Sequence, residues 1–380
     1  MLERKNAVLI SIHQDTNEIC QLMHTLNYVP MKIVTQRRRL ADSKTYIGNG
    51  KLMEINEYIN NETMKIDAVV INGDLKPNQH YNIETVLKRP IYDRQGLILE
   101  IFKSRAHNKE AALQVELASY IYEIPFVREW IHRMHCGDKT GFMSGGVYRT
   151  ADYLTFIRRR MSKIKEELKA IDKQNEAKRK SRERAGIVTV SIAGYTNAGK
   201  TSLLNILTKT VAVTADEYFT TLQTKTKSYC RDTVPIIITD TVGFIKDVPA
   251  WFISSFRPTL SEIWQSDIIL VVLDSSTNLN VIMERYNVTL QNLRTVNTSL
   301  KSNKKMIVIF NKCDLIETES LNEKITTFKE YTGIGAIAVS TKTGYGITKL
   351  EELIKATASQ IFHEKRCPPS QMNLDCTHDI

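Results

Sequence analysis

Five short segments between Gly194 and Lys342 carry residue types whose order and spacing suit phosphate and purine chemistry. The run Gly194-Tyr195-Thr196-Asn197-Ala198-Gly199-Lys200-Thr201 fits the G-x-x-x-x-G-K-[ST] loop that joins a strand to a helix. Its glycines let backbone N–H groups curl around phosphate oxygens, the following helix adds its positive end, and Lys200 reaches the β and γ phosphates. Thr201 offers a hydroxyl to magnesium. Downstream, Asp240-Thr241-Val242-Gly243 ends a strand-like run, where the Asp240 carboxylate can hold magnesium and the Gly243 amide can meet a γ-phosphate. Between these lies Phe219-Thr220-Thr221-Leu222, followed by Gln223, in a polar stretch suited to a mobile loop; Thr221 supplies a second hydroxyl for the metal when a γ-phosphate is present.

Base selection comes from Asn311-Lys312-Cys313-Asp314, which follows the apolar run Met306 to Phe310. Asp314 can accept from both the ring N–H and the exocyclic amine of guanine, a pairing that adenine lacks, so ATP is expected to leave a buried carboxylate unpaired. Asn311 braces the loop and Lys312 covers the base, while Ser340-Thr341-Lys342 fills the place of a backbone contact to the guanine oxygen. The expected ligands are GTP and GDP with Mg²⁺. Catalysis falls to Lys200, Thr221 and Gly243, and the metal to Thr201, Thr221 and Asp240. Hydrolysis also needs a residue to orient water, but the position after Gly243 is Phe244, and the sequence names no arginine finger. Slow intrinsic turnover, raised by a partner that orders the loops, is therefore expected.

Each of these segments must sit at a strand end, which requires an α/β doubly wound, mostly parallel sheet with nucleotide at its carboxyl edge. That GTPase domain is expected over residues 185–362, with a short tail at 363–380, too short for an RNA-binding domain. Residues 1–108 alternate apolar runs (Ala7 to Ile12, Val29 to Val34, Ala68 to Ile71) with amphipathic stretches, which predicts a small parallel α/β domain. From 109 to 184 the pattern changes. Leu113, Leu117, Tyr120 and Ile124 recur at helical spacing until Pro125 interrupts or kinks the run. After a glycine-rich break, Leu154, Ile157, Met161, Ile164, Leu168 and Ile171 form a heptad seam. An antiparallel helical hairpin follows from that pair of patterns.

The formal charge of +10 is concentrated in this arm, where Arg158 to Arg184 hold twelve Lys or Arg against five Asp or Glu. Such a surplus on the faces away from the apolar seam points to a polyanionic partner, nucleic acid above all. The cysteines (Cys20, Cys136, Cys230, Cys313, Cys367, Cys376) lack paired spacing, so neither a disulfide framework nor a zinc site is expected at His132, His135 and Cys136 or at Cys367, Cys376 and His378. No apolar run is long enough to span a bilayer, and no signal-peptide pattern opens the chain, so a cytoplasmic protein is expected.

The chain resembles the HflX GTPases, ribosome-associated members of an Obg-like translation-factor class. Gly194 to Thr201, Asp240 to Phe244 and Pro258-Thr259-Leu260 carry the resemblance. Specific to it are Asp93-Arg94-Gln95-Gly96 through Phe102, Leu113 to Leu117, Ile47 to Lys51 and Gly73 to Pro77. The resemblance implies a cytoplasmic GTPase on the large ribosomal subunit, its N-terminal domain and arm reaching into ribosomal RNA, with a role in splitting or rescuing ribosomes; a monomer is expected. The alternative is a GTP-dependent ribosome- or RNA-binding switch acting in assembly or docking with little hydrolysis. The chain departs from the family pattern at Ser144 to Tyr153, which lacks the expected Gly-Glu and further Glu, at Gln223 in place of Asp, and at Thr201-Ser202 in place of Ser-Thr.

Overall fold

Strands buried on both faces read as unbroken apolar runs, and two parallel sheets are built from such runs. The computed structural model describes residues 4–135, 147–210, 219, 225–230, 234–246, 248–296 and 304–366, and the chain divides into two units, Met1–Ala170 and Ile171–Ile380.

In the first unit β1 (Lys5–Ser11), α1 (Asn17–Thr25), β2 (Tyr28–Thr35), α2 (Asn49–Asn61), β3 (Ala68–Ile71), α3 (Pro77–Leu87), β4 (Ile91–Tyr92) and α4 (Arg94–Arg105) alternate. Their sheet runs β2-β1-β3-β4 with every pair parallel. Val8, Ile10, Val69 and Ile71 meet Leu52, Ile55 and Ile83 of the covering helices in one core. β4 is a strand that hydropathy alone does not reveal, because two residues between Pro90 and Asp93 are too few for a pattern.

The hairpin consists of α5 (Lys109–His135) and α6 (Val147–Arg184), the latter extending past the boundary between the units. Partners rise along α5 as they fall along α6: Lys109 with Glu167, Glu116 with Arg160, Glu123 with Tyr153. That order makes the pair antiparallel, and Ile157, Ile164 and Leu168 of the predicted seam are buried. Pro125 does not end α5, which continues ten residues beyond it. A proline removes one helix hydrogen bond; next to it Phe126 makes aromatic contacts with Tyr122 and with His80 of α3. The glycines at 137–146 lie outside the described residues.

The second unit contains β5 (Val188–Gly194), α7 (Lys200–Leu207), β6 (Lys225–Cys230), β7 (Ile236–Asp240), α8 (Ala250–Ser255), α9 (Arg257–Gln265), β8 (Ile268–Asp274), α10 (Leu279–Val296), β9 (Lys305–Asn311), α11 (Thr318–Thr332), β10 (Ala336–Ala338) and α12 (Ile347–Arg366). Sheet order is β10-β9-β8-β5-β7-β6, parallel except for the antiparallel edge strand β6. This is the doubly wound sheet that the sequence predicts. Two apolar layers cover it, one around Ile192, Leu203, Ile238 and Ile309, the other around Trp264, Val271, Phe310 and Phe328. With both faces covered, the carboxyl ends of β5, β7, β8 and β9 and the loops after them are the edge left for chemistry.

Candidate functional site

The phosphate-type loop leaves β5 at Gly194 and enters α7 at Lys200, with Gly199 as N-cap in the left-handed region at φ +90°. Lys200 is buried, and its Nζ donates to the Tyr195 carbonyl at 2.7 Å. Burial pushes its ammonium down to about 8, against the opposing pull of the Asp240 charge. Thr196 is buried too, and its hydroxyl has no hydrogen-bond partner among the described residues. Asn197 follows at φ +61° and Ala198 is buried.

At the end of β7, Asp240 is fully buried and accepts from Thr201 Oγ1 at 2.8 Å and from the Thr241 amide at 2.9 Å. Thr241 anchors the turn by donating its hydroxyl to the Ile192 carbonyl at 2.6 Å. Val242 is buried, and Gly243 then crosses the phosphate-type loop so closely that a Cβ there would stand 2.8 Å from Lys200 Nζ and 3.0 Å from Thr196 Cα. Phe244, read from sequence only as a residue that cannot orient water, has a structural role. Its ring is buried in the Trp264 layer, and its backbone forms a parallel bridge with Tyr195.

Asn311 joins two loops. Its amide donates to the Ala198 carbonyl at 2.9 Å while its carbonyl oxygen accepts from the Thr341 amide at 3.1 Å. Lys312 sits in the left-handed region at φ +63° and pairs with Asp274 at 2.8 Å. Cys313 packs into the apolar layer, and burial raises its thiol. Asp314 is exposed, its carboxylate oriented by Ser340 Oγ at 2.6 Å; that same hydroxyl accepts the amides of Lys342 and Thr343. Lys200, Thr201, Asp240 and Gly243 thus form one cluster, with Asn311 linking it to a second cluster of Asp314 and Ser340 to Lys342. Phe219 is buried at φ +55°, whereas Thr220, Thr221, Leu222 and Gln223 lie outside the described residues.

Two residues that sequence reasoning missed support this edge. Asp274 holds Lys312, and Ser275 donates both its amide and its hydroxyl to the Asn311 carbonyl. The signal for both is the apolar run of β8 ending in Asp274-Ser275-Ser276 at a parallel strand's carboxyl end.

Comparison with known proteins agrees with this geometry. Family models match three stretches: "GTP-binding GTPase N-terminal" over residues 13–103, "GTP-binding GTPase Middle Region" over 105–182 and "50S ribosome-binding GTPase" over 189–312. The GTPase HflX of Thermococcus kodakarensis is 42% identical over 345 residues, covering 89% of this chain and 76% of the relative. That of Methanocaldococcus jannaschii is 36% identical over 337 residues, covering 89% and 81%. A crystal structure of a GTP-binding protein from Sulfolobus solfataricus in complex with GDP superposes with a TM-score of 0.52 at 27% identity, covering 94% of this chain and 99% of that one. Relatives this similar over most of their length leave one assignment: the chain belongs to the HflX family of GTPases.

Proposed function

We propose that this GTPase binds its nucleotide across the carboxyl edge of the six-stranded sheet and acts on the large ribosomal subunit. One observation supports the site assignment above others: Asn311 hydrogen-bonds both to the loop of Lys200 and to the loop of Ser340 to Lys342, so phosphate and base recognition share one rigid link. In this reading the amides of Gly194 to Gly199 and Lys200 take the phosphates, Asp314 takes the guanine N–H groups, Lys312 covers the base, and Thr341 and Lys342 lie beside its oxygen.

The donor chemistry fits a hard divalent cation such as Mg²⁺, because Thr201 Oγ1 and Asp240 Oδ2 converge to 2.8 Å in a buried setting. Thr221 would complete that oxygen set. A bound magnesium supplies charge neutralisation at the transferring phosphoryl group. Lys200, at a pKa of about 8, is easily brought to its cationic form by phosphate and adds to it.

Phe244 contributes no water-orienting group from its buried ring, so intrinsic turnover is slow and a partner raises it. The basic arm over 109–184 supports a polyanion such as ribosomal RNA as that partner, and the family description "50S ribosome-binding GTPase" supports the large subunit. A cytoplasmic monomer is the corresponding physiological form; among the described residues no helix is long and apolar enough to cross a membrane. The test is GTP and ATP hydrolysis measured alone, with small subunits, with large subunits and with whole ribosomes, using Asp314→Asn as the base-site control. Large subunits should raise GTP turnover and leave ATP untouched. Stimulation by small subunits alone, or equal turnover in all four mixtures, overturns the ribosomal reading.

A further inference from the structure

Tyr195 occupies a variable position of the phosphate-type loop, yet three parts of the second unit converge on it. Its carbonyl accepts Lys200 Nζ at 2.7 Å, its hydroxyl accepts the Lys246 amide at 2.9 Å, and the Arg285 guanidinium lies over its ring, 5.0 Å from the centroid. Next to Arg285, Glu284 of α10 pairs with the Lys246 ammonium. Tyr195 itself is buried.

The hydroxyl contact completes a ladder. The Phe244 amide donates to the Gly194 carbonyl at 3.0 Å and the Thr196 amide to the Phe244 carbonyl at 2.8 Å, the first two rungs of a parallel pairing. In a continuing ladder the next rung would run from the Lys246 amide to the Thr196 carbonyl. The phosphate-type loop turns away at that point, and the Tyr195 hydroxyl takes the rung instead. Cation–π contact with Arg285 holds the ring that carries the hydroxyl. The segment from Gly243 to Lys246 is therefore fixed at both ends, by main chain near Gly243 and by a side chain at Lys246.

We propose that Tyr195 is a positioning residue for GTP hydrolysis. Its hydroxyl, steadied by Arg285, sets where the segment after Gly243 lies against Lys200, and so how well Gly243 and Lys200 meet the γ-phosphate. This rests on the nucleotide-site reading above. GDP lacks that phosphate and reads the loop amides instead, so the rung affects hydrolysis far more than GDP binding.

Tyr195→Phe removes the hydroxyl and keeps the ring under Arg285. Three quantities test it in the full chain: single-turnover GTP hydrolysis, GDP affinity, and hydrogen exchange of the Lys246 amide. Hydrolysis should fall about three- to tenfold, as for loss of one positioning contact. GDP Kd should stay within about twofold and Lys246 exchange should quicken, while core amides of β8 keep their protection. Arg285→Ala should lower hydrolysis in the same direction, with Arg285→Lys restoring most of it, since a lysine also sits over a tyrosine ring. Wild-type hydrolysis in Tyr195→Phe, or a loss matched by equally weakened GDP binding, overturns the proposal. If wild-type protein failed to bind GDP at all, the nucleotide-site reading would fall first, so the two failures are distinguishable.

Discussion

At the carboxyl edge of the six-stranded sheet, Thr196 has a buried hydroxyl without a partner among the described residues, and Lys200 has an ammonium held down by burial. At the same edge of the four-stranded sheet Ser11, Tyr46, Asn72 and Asp93 have polar groups bonded within the protein. Tyr46 donates its hydroxyl to the Asn72 carbonyl at 2.8 Å, and the Asn72 amide donates to Ser11 Oγ and the Asp15 carbonyl, each at 3.1 Å. Asp93 accepts the amides of Gly96 and Leu75 and the hydroxyl of Tyr122. Both sheets are wound in the same way and both end their strands in loops with small polar residues. The difference lies in side chains: where Tyr46 fills the space beside Gly73, the edge closes on itself. Where the loop of Gly194 to Thr201 buries the Thr196 hydroxyl and the Lys200 ammonium, the edge is the one proposed to take phosphate. Fold supplies the place, and the loop residues decide whether it is used.

The strongest way to break this contrast is to remove the cation. Lys200→Ala is expected to lower kcat/KM for GTP by about 10²-fold or more, the scale for loss of one preorganised charge at a reacting centre. Phosphate release under single-turnover conditions measures it, and a loss below about tenfold would place the site elsewhere. Proton linkage gives a second view of the same residue. With its free-state pKa at about 8, Lys200 becomes increasingly neutral as pH rises through 8, whereas bound phosphate restores the ammonium. GDP binding should take up protons, more at about pH 8.5 than at about pH 7, as read by calorimetry in two buffers of different ionisation enthalpy. Equal heats in both buffers at both pH values would refute the linkage.

Much of the site is legible in the sequence because its segments obey fixed spacings at the ends of apolar runs: Gly194 to Thr201 after β5, Asp240 to Gly243 after β7, Asn311 to Asp314 after β9. Fold class follows from the same runs. What sequence does not reveal depends on tertiary contact. β4 exists only because Ile91 and Tyr92 pair with Val69 and Val70. α5 continues through Pro125 next to a ring contact between Phe126 and His80 of a different helix, which spacing does not show. Phe244 reads as a missing catalytic group until its ring is seen packed beside Trp264, and Tyr195 reads as a filler until Lys246 and Arg285 are found against it. Spacing encodes what the ligand must meet; it does not encode what holds those residues in place.

On the closed edge, the largest effect is expected from Asp93. Burial, only partly offset by the Gly96 and Leu75 amides and the Tyr122 hydroxyl, raises its carboxyl from 3.8 to about 6. The folded state then binds the proton more tightly than the unfolded chain does. Its contribution to stability is greatest below about pH 4, declines as pH rises through 4 to 6, and is constant above that. A carboxyl displaced that far implies a decline on the order of 3 kcal/mol across the window. Asp93→Asn should flatten this window relative to wild type in urea denaturation at pH 4, 5, 6 and about 7. Parallel curves for the two proteins would show that Asp93 ionises normally.

The smallest effect is the most discriminating, because it tests whether the closed edge is closed by Tyr46. Tyr46→Phe deletes one buried hydrogen bond, worth about 1 kcal/mol, and should leave GTP hydrolysis unchanged. Gly73→Ala is expected to cost more, since its Cβ would stand 2.4 Å from the Tyr46 hydroxyl. The two changes should not add. Removing the hydroxyl takes away the atom that the new methyl meets, although the ring carbons at 3.1 and 3.2 Å still crowd it. The double variant is therefore expected to be more stable than the sum of the singles predicts, by about 0.5 kcal/mol or more, the usual scale for residues in contact. Strict additivity in a double-mutant cycle would mean that the loop moves away from Tyr46 once Gly73 gains a methyl group, and that the edge is held shut by Asn72 and Asp93 instead.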